Sequence, residues 1–452
     1  MKKNILLIFA IKSITAHCQE NTQFSMQQAM DYALQNSPLV KNAKLDIDIY
    51  NQKVKEVTAI GLPQINATAD FTHFLNIPTS VIPAAIFNPF AGPDEVIPVK
   101  FGTKYQTSAG VTLSQLLFDG SYLVALKATK SLTELQLQLE SKTEIDVAYE
   151  VVKSYYMAAV ADENVKTLNF TLQNLEKLLT ETKAINGEGL IENQDVEQFE
   201  LTVESMKNSI SRATNMKKMA LDLLKLNMGI DITKEISLSD NIETLTQTIS
   251  SETSNKEFMP SFLTEYKLLQ LQVKLNELSL KNEKMKYYPS LATYISHSYN
   301  LPSNKLDQFD NRHWFPTSVW GLKLNVPIFA SGMKHAKVQQ AKLTIEKSVN
   351  TLNATENALK LQASNALLNF NFANENVNTM KKTLELADKI QQKTLVKYKE
   401  GVSSSLELNQ AQMQYLTAQA NYINGLYNLL QAKTDLDKAF GTFKSTNNQP
   451  NK

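Results

Sequence analysis

The most constraining feature of this chain is a set of glycines that recurs at one fixed distance. Three glycines of the first half each have a counterpart 212 residues later, in the pairs Gly120 and Gly332, Gly189 and Gly401, and Gly229 and Gly441. A period of 212 residues is far longer than the roughly 20–50 residues of solenoids and propellers. The spacing therefore predicts an internal duplication of one large unit.

Long stretches without proline mark the helical parts of both halves. No proline occurs at residues 99–259 or 328–449, so nothing there would remove a backbone hydrogen bond from a helix. The stretches 120–189 and 332–401 would each form a helix of about 100 Å, at about 1.5 Å per residue. Helices of this length indicate a bundle, a coiled coil or a tube. Apolar residues at helical spacing predict the packing of such helices, as in Leu168, Leu172, Leu175 and Leu179.

A short polar tip is predicted at the end of each long helix, at residues 186–193 and 399–405. After each tip the chain is expected to return as a helix. Shorter helices are predicted near Ser25–Ile60 and Pro260–Lys286, where each could stack end to end with a returning helix. The first repeat is assigned to 19–230, the second to 259–442, and the segment 231–258, rich in Ser, Thr, Asp and Glu, to an equatorial connector.

Four segments change from the helical period to the alternation that is typical of β-strands. They lie near residues 64–77, 103–118, 290–301 and 317–329. About ten alternating residues match the length of a tilted membrane-spanning strand, although a half-buried hairpin of a soluble protein would show the same pattern. The residues predicted to face lipid are Tyr105, Val111, Trp320 and Leu322.

Four strands are too few to close a barrel, and open strand edges are not tolerated in lipid. The strands would therefore be shared among chains. Two chains would give eight strands, whose side chains largely fill the interior, whereas three would give twelve and leave a lumen, which a transport function favours. The connections Ile77–Val99 and Pro302–Phe315 are expected to be outward loops, and the first, which is apolar, to pack over its neighbours in the mouth.

The N-terminus resembles an export signal. Two lysines precede an apolar run, Ile5–Ile11, and small residues follow it. Residues 1–18 are therefore predicted to be a signal peptide that is removed after Cys18. The alternative is a mature chain that begins at a lipidated Cys18, which the bulky His17 disfavours. Residues 443–452 form a polar tail.

Composition and spacing argue against a nucleic-acid partner and against catalysis. The formal net charge is +1, so there is no basic excess to neutralise phosphates. The five histidines are scattered without metal-ligand spacing, and no nucleophile with a base can be named. The single cysteine excludes a disulfide framework. We expect no enzyme activity, no cofactor, no metal site and no nucleic acid.

Three short motifs gain weight from their order and spacing. They are Ala33–Pro38 in the first helix, Leu117–Gly120 after the second strand, and Tyr398–Gly401 at the second tip. With the duplicated order of helix, strand, strand and helix, they make the chain resemble the TolC-type outer-membrane factor family. Members of that family are exit ducts of bacterial efflux and type I secretion systems. The resemblance extends over essentially the whole mature chain.

The resemblance implies an α+β membrane protein. It implies a homotrimer with a shared 12-stranded transmembrane β-barrel, four strands from each chain, continuous with a long periplasmic α-helical barrel. The chain would lie in the cell outer membrane, in contact with its lipid, and extend into the periplasm. Its partners would be a periplasmic adaptor and an inner-membrane pump of RND, ABC or MFS type. The substrate stays open because the pump selects it in this family.

The resemblance also places a gate at the tips, which opens when an adaptor docks. Aligned on the two tip glycines, the gate candidates are Asp195, Tyr398, Ser403, Glu407 and Gln410. Ser403 stands where the family pattern has arginine, so a charged link to Asp195 cannot form and a less charged gate is expected. Three copies of Glu407 would form a ring of like charges that attracts cations, unless Glu407 is simply a solvated surface residue.

The tips are also the predicted docking surface for the hairpins of an adaptor. The two segments are Gly187–Asn193 and Gly401–Ser405. The residues assigned to docking are Gly187, Gly189, Leu190, Gly401, Val402 and Ser403. The alternative for the whole chain is a coiled-coil surface scaffold or adhesin, which would use the same long helices without a channel.

Overall fold

The computed structural model describes residues 23–189, 191–247, 258–306 and 314–443. These residues form two compact units. The first unit takes the described residues of Met1–Asn42, Ser141–Leu263 and Ala358–Lys452, and the second takes Ala43–Glu140 and Thr264–Asn357. Several predicted features lie outside the described residues: the segment 1–18 with Cys18, the docking residue Leu190, part of the connector, and the tail from 444 onward.

Helices make up most of the described residues. Two of them are very long and each is followed by a helix of about half its length, with 68 and 36 residues in the first half and 67 and 35 in the second. Such matched lengths are what a duplicated unit would produce. The helices are α1 Met26–Asn36, α2 Pro38–Ala59, α3 Gly120–Gly187, α4 Asn193–Met228, α5 Ile242–Gln247, α6 Thr264–Met285, α7 Met333–Lys399 and α8 Ser405–Ala439.

The first predicted helix, near Ser25–Ile60, is in fact two helices. Ser25 begins α1 with a capping box, in which its hydroxyl accepts from the Gln28 N–H and the Gln28 side chain accepts from the Ser25 N–H. The helix ends at Ser37, whose ψ of 129° is extended, because a residue before proline avoids helical backbone. Pro38 then occupies the first position of α2, where its missing N–H costs nothing.

The strands form one large sheet and two small ones. The large sheet has the antiparallel order β2, β5, β7, β8. A parallel pair joins β1 to β6 in the first unit, and an antiparallel hairpin joins β3 to β4 in the second. The strands are β1 Gln23–Phe24, β2 Gln64–His73, β3 Thr79–Pro83, β4 Val96–Lys100, β5 Tyr105–Phe118, β6 Ser237–Leu238, β7 Ser290–Ser303 and β8 Phe315–Asn325.

Two strand boundaries and one loop differ from the sequence predictions. The strand predicted near 64–77 ends at His73. The strand predicted near 317–329 ends at Asn325, because Pro327, two residues later, has no N–H to donate to a ladder. The segment Ile77–Val99, predicted to be a loop, contains the β3–β4 hairpin. The described part of the connector contains β6 and α5.

The core of the first unit lies where α1, α3, α4 and α8 meet the β1–β6 pair. Tyr155 of α3 is fully buried, and its hydroxyl lies 3.0 Å from the Phe24 carbonyl oxygen and 3.1 Å from Asp240 Oδ2. Burial raises the pKa of Tyr155 above its usual range. Asp240 Oδ2 also accepts from the Met26 N–H at 2.8 Å. This network fixes the small parallel sheet to the long helix.

One of the three repeated glycine pairs differs in conformation between the two halves. Gly229 and Gly441 follow α4 and α8 with φ of +74° and +67°, a left-handed conformation that favours glycine. Gly332 also has a positive φ, +81°, with open space around it. Gly120 instead begins α3 without a positive φ, and a Cβ there would lie 3.2 Å from the Met285 side chain. The shared spacing therefore gives a shared conformation in two of the three pairs, and Gly120 with Gly332 is the exception.

Candidate functional site

The tip of each helical hairpin is a tight turn centred on a glycine. Gly189 and Gly401 both have φ of +73°, which a side chain would strain. The Gly401 N–H donates to the Tyr398 carbonyl at 3.0 Å, so the last turn of α7 is closed before the chain reverses. Ser404 then caps α8, since its hydroxyl accepts from the Glu407 N–H at 3.2 Å.

Hydrogen bonds join the two hairpins close to their tips. The Ser405 hydroxyl, at the start of α8, donates to Asp195 Oδ1, at the start of α4. Tyr398 of α7 lies between α3 and α4: its hydroxyl is 3.5 Å from Thr182 Oγ1, and its ring packs edge-on against Phe199 at 5.8 Å between centroids. These contacts make a clasp between the α3–α4 and α7–α8 hairpins.

An ion pair reinforces the same junction. Lys399 Nζ lies 2.8 Å from Glu181 Oε2, and both side chains are partly exposed. Such an exposed pair contributes only about 0–1 kcal/mol to stability. One turn further from the tip, the Thr202 hydroxyl donates to Asn409 Oδ1 at 3.2 Å. The clasp is therefore built from several separate side-chain contacts between the two hairpins.

A second polar junction joins α3 to α8 further along the helices. The Tyr149 hydroxyl donates to Asp435 Oδ1 at 2.5 Å, and Lys438 Nζ lies 4.1 Å above the Tyr149 ring. Burial, the hydrogen bond to Asp435 and its charge raise the pKa of Tyr149 above its usual range. Burial alone would raise the pKa of Asp146, but its hydrogen bonds with Lys142 and Lys438 lower it.

One face of the four-stranded sheet is apolar and exposed. Directly paired residues share a face, so the register places the four predicted lipid-facing residues on one side. Trp320 there is 67% exposed. The exposed apolar side chains of this face are Ile65, Phe71, Val111, Ile295, Tyr299, Trp320, Leu322 and Leu324. The opposite face is mainly polar. Within the described residues, β2 and β8 are the edge strands of this sheet, and each pairs along one side only.

Two helices of the first unit are apolar on two sides. In α7, Phe370 is buried while Phe372 is 70% exposed, and at about 100° per residue these side chains point in nearly opposite directions. The buried side of α7 has Ala363, Ala366, Phe370, Ala373 and Val377, and the exposed side has Leu361, Leu368, Phe372, Leu386 and Ile390. In α4 the exposed side has Leu201, Met216, Met219, Leu223 and Leu226.

No described helix combines the length and the hydropathy that a membrane-spanning helix needs. Across the described ranges, no three or more His, Cys, Asp or Glu side chains are grouped so that they could hold a metal ion. Grooves between helices include an apolar one of about 430 Å³ beside Met157, Met216 and Met219, and a polar one of about 350 Å³ beside Glu181 and Lys399.

Comparison with known proteins decides the family. The profile of the outer membrane efflux protein family matches residues 29–229 and 269–442, well over half of the chain. The chain belongs to this family. It is 20% identical to the outer membrane protein TolC of Salmonella enteritidis over 465 residues, which cover 98% of this chain and 87% of TolC.

Solved structures of other outer-membrane proteins share the fold of this chain. The CusC structure superposes with a TM-score of 0.71 at 16% identity and covers 93% of both chains. The CmeC outer membrane channel of Campylobacter jejuni superposes with a TM-score of 0.69 at 18% identity, over 97% of this chain and 94% of CmeC. At these identities the likeness shows the fold alone. The predicted family and α+β fold class are confirmed.

Membership of the outer membrane efflux protein family indicates the general role and location of this chain. The outer membrane efflux protein family consists of transport channels, not enzymes, and its members lie in the outer membrane with an extension into the periplasm. They work in general with adaptor and pump partners. The predicted localisation is therefore confirmed, while the substrate and the particular partners are open.

The predicted gate residues of the efflux protein fall into two groups. Asp195 and Tyr398 belong to the clasp between the hairpins. Ser403 belongs to the second group, because its hydroxyl donates to Glu407 Oε2 on its own hairpin rather than to Asp195. Glu407 and Gln410 are exposed on α8 and take no part in the clasp.

The predicted docking residues lie at the two turns. Gly187 is the last residue of α3, and Gly189, Gly401 and Val402 lie in the turns themselves, where Val402 is exposed. The Val402 N–H donates to the Lys397 carbonyl at 2.8 Å, so its side chain projects from a fixed backbone. Each described tip therefore offers a small, well-defined surface.

The sequence analysis missed the residues that complete the clasp. No charged link to Asp195 was expected, because Ser403 stands where the family pattern has arginine; Ser405 instead donates a hydrogen bond to Asp195. The ion pair of Lys399 with Glu181 also adds charge to a junction that was predicted to have little. Only one signal pointed to Ser405: it follows a helix N-cap residue close to the tip glycine. Which residue of the other hairpin it meets depends on the relative register of two hairpins, which a single sequence does not give.

Proposed function

We propose that three copies of this chain form the exit duct of a tripartite efflux or type I secretion system. In this proposal each copy gives four strands to a 12-stranded barrel in the outer membrane, and the long helices form a tunnel in the periplasm. The duct receives small molecules or proteins from an adaptor and an inner-membrane pump of RND, ABC or MFS type. No cofactor takes part.

The observation that carries this proposal is the two-sided sheet with its unpaired edges. Its apolar face exposes Trp320 and Leu322, which in water would be unfavourable, whereas lipid would solvate them. Strands β2 and β8 run in opposite directions in the order β2, β5, β7, β8. If β8 of one copy pairs with β2 of the next, the antiparallel pattern continues without interruption and no edge is left in lipid.

The exposed apolar sides of α4 and α7 favour a ring of copies. They are different surfaces, so contact between α4 of one copy and α7 of the next would be heterologous, and such contacts form a ring when the rotation between copies closes. A ring of three copies gives twelve strands and a lumen, whereas two copies give eight strands and a filled interior. An internal duplication accounts for the matched helix lengths of the two halves.

We propose further that the clasp at the tips is the gate and that the tips bind the adaptor. The clasp joins the two hairpins of one copy through Asp195, Ser405 and Tyr398. An adaptor that contacts the turns at Gly189 and Gly401 would reach these residues first. Separation of the hairpins would then widen the inner end of the tunnel.

A charge introduced on either face of the sheet tests the proposal. Leu322→Lys puts a charge on the apolar face, where it would cost about 2–4 kcal/mol at the middle of a bilayer. Val319→Lys is the matched control, since Val319 is also an exposed residue of β8 but lies on the polar face. We expect the parent chain and Val319→Lys to be extracted from outer membranes as heat-labile trimers that conduct in planar bilayers.

Leu322→Lys should fail to appear as a membrane trimer. If the parent chain is a soluble monomer without conductance, the scaffold or adhesin alternative is favoured and the duct is excluded. If both lysine variants insert equally well, the apolar face does not contact lipid.

A further inference from the structure

The β3–β4 hairpin is an ordered structure with no assigned role. Its strands pair in register, with Val81 opposite Pro98 and Ile82 opposite Ile97, and form a sheet separate from the large one. One face of the hairpin is half-buried and includes Ile82 and Ile97. The other face, with Val81 and Val96, is exposed. The hairpin therefore has an apolar face that nothing in the described chain covers.

The exposed face continues into the tip of the hairpin. A short 3₁₀ turn, Ala84–Ile86, closes the hairpin, and the Ala84 N–H donates to the Glu95 carbonyl at 2.8 Å. Ala84 itself is only 2% exposed, so the backbone here is packed. Phe87 and Phe90 nevertheless point outward, and Phe90 is 95% exposed. Large apolar groups on a defined backbone indicate a contact surface rather than a solvated loop.

Charge argues against a membrane surface as the partner of this face. Lys100, at the base of β4, is the only basic residue of the hairpin, and between Thr79 and Val99 the charged residues are Asp94 and Glu95 near the tip. Anionic lipid headgroups attract clusters of basic residues, so they would repel this tip. An apolar partner is required, and the same face of another copy of this chain meets that requirement.

The position of the hairpin brings copies of it together. The hairpin lies between β2 and β5 in the chain. The Phe74 N–H donates to the Lys104 carbonyl at 2.9 Å, and this bond extends the β2–β5 ladder to the base of the hairpin. Because β2 is an edge strand, the hairpin stands at the side of the sheet where, under the proposed function, the next copy pairs. Three copies would then carry three such hairpins on one rim.

We propose that the exposed apolar face of the β3–β4 hairpin packs against the same hairpins of the other two copies and narrows the outer mouth of the channel. The inference rests on the proposed function, since it needs three copies on one rim. It adds a second constriction, at the rim of the proposed barrel.

Cross-linking of a single cysteine tests this contact. In a Cys18→Ser background, which removes the chain's own cysteine, Phe90→Cys should form a disulfide-linked dimer on oxidation, visible on a denaturing gel and lost on reduction. Leu322→Cys is the matched control, because Leu322 is an exposed apolar residue of the same unit and successive copies of it would lie four strands apart in the proposed barrel. It should not cross-link.

A conductance measurement adds a functional readout. In channels whose clasp is weakened by Ser405→Ala, oxidation of Phe90→Cys should lower the single-channel conductance, and a reductant should restore it. A trimer that forms and conducts but shows no cross-link at Phe90→Cys would overturn the inference and leave the duct intact. A bimane label at the same position that brominated lipid quenches would also overturn it, in favour of the membrane.

If the parent chain forms no trimer and does not conduct, the proposed function fails, and this inference fails with it. Phe87→Cys repeats the test at a second exposed position of the hairpin tip. Because both side chains point outward, neither substitution should prevent folding.

Discussion

The helices α3 and α7 have nearly the same length but are covered very differently within one chain. α3 buries large side chains such as Tyr155, Tyr156 and Leu175. α7, only one residue shorter, buries just one large aromatic residue, Phe370, among alanines and a valine. Its opposite side is apolar and exposed. Equal length and equal periodicity therefore do not mean equal surroundings.

The two returning helices show the reverse pattern. α8 buries fourteen residues, whereas α4, one residue longer, buries nine and exposes an apolar side with Met216 and Met219. Thus, of the helical parts in the first unit, α4 and α7 leave more of their apolar surface uncovered than α3 and α8 do. The difference between the halves teaches that one chain leaves two unlike apolar surfaces uncovered, which is what a ring of copies requires.

The largest expected effect comes from charging the exposed side of α7. Leu368→Glu with Phe372→Glu should abolish the trimer, because unpaired charges buried at a contact cost several kcal/mol each. Asn371→Glu is the control, since Asn371 is an exposed neighbour of Phe372 about 100° away around the helix. Light scattering of the detergent-solubilised protein measures the assembly. A persistent trimer in the double variant would show that this side of α7 is not covered by a second copy.

A smaller effect is expected at the clasp, where the two hairpins meet. Ser405→Ala removes the hydroxyl that donates to Asp195. A hydrogen bond to a charged group is worth about 1.5–3 kcal/mol, so the ratio of closed to open channels should fall about tenfold or more, since about 1.4 kcal/mol is one tenfold step. Single-channel recording measures this ratio.

Ser403→Ala is the matched control for Ser405→Ala, because the Ser403 hydroxyl contacts only Glu407 of its own hairpin. It should leave the ratio of closed to open channels unchanged. Equal effects of the two alanine variants would mean that the link between hairpins does not hold the channel closed.

A change in selectivity without a change in assembly is expected at Glu407. If three copies form an acidic ring, Glu407→Gln should reduce the preference for cations, measured as the reversal potential in a salt gradient. The opposite variant, Gln410→Glu, adds an acid on the same exposed side of α8 and should increase that preference. An unchanged reversal potential in both variants would indicate that these residues are solvated and far from the path of the ions.

The smallest effect concerns pH and the junction of α3 with α8. Burial raises the pKa of Tyr156 to about 12, and the charge of Asp437 adds to the shift. Because the folded pKa lies above the usual value of 10.0, this part of the stability is fully present below pH 10.0 and is lost as the pH rises towards about 12.

Thermal unfolding followed by circular dichroism should therefore show a falling midpoint in this alkaline range. Tyr156→Phe has no proton to release, so its midpoint should fall less steeply between these pH values. An identical slope for Tyr156→Phe and the parent chain would contradict the assignment.

Local periodicity was sufficient to predict the long helices, the four strands of the large sheet and its apolar side. The positions of Trp320 and Leu322 follow from alternation alone, because neighbouring side chains of a strand point to opposite faces. The break at Ser37 could also have been predicted, since Pro38 signals it directly. What periodicity does not contain is the register between separate elements.

The clasp and the β3–β4 hairpin illustrate that limit. Asp195 lies six residues after its tip glycine and Ser405 only four after its own, so an alignment of the two repeats does not bring them together. The strands of the β3–β4 hairpin are only five residues each and include Pro83 and Pro98. Proline is unusual in strands, so the segment was predicted to be a loop.

The glycines that end α4 and α8 fix the rotation of these helices as well as their ends. A Cβ at Gly229 would lie 3.1 Å from the Asn36 carbonyl oxygen, so this end of α4 is held against the break between α1 and α2. Gly189 and Gly229 are 40 residues apart, as are Gly401 and Gly441. One inserted residue would turn the apolar side of the helix by about 100°. A returning helix can therefore accept many substitutions, but it can change length only in steps that restore its phase, of about seven residues or two turns.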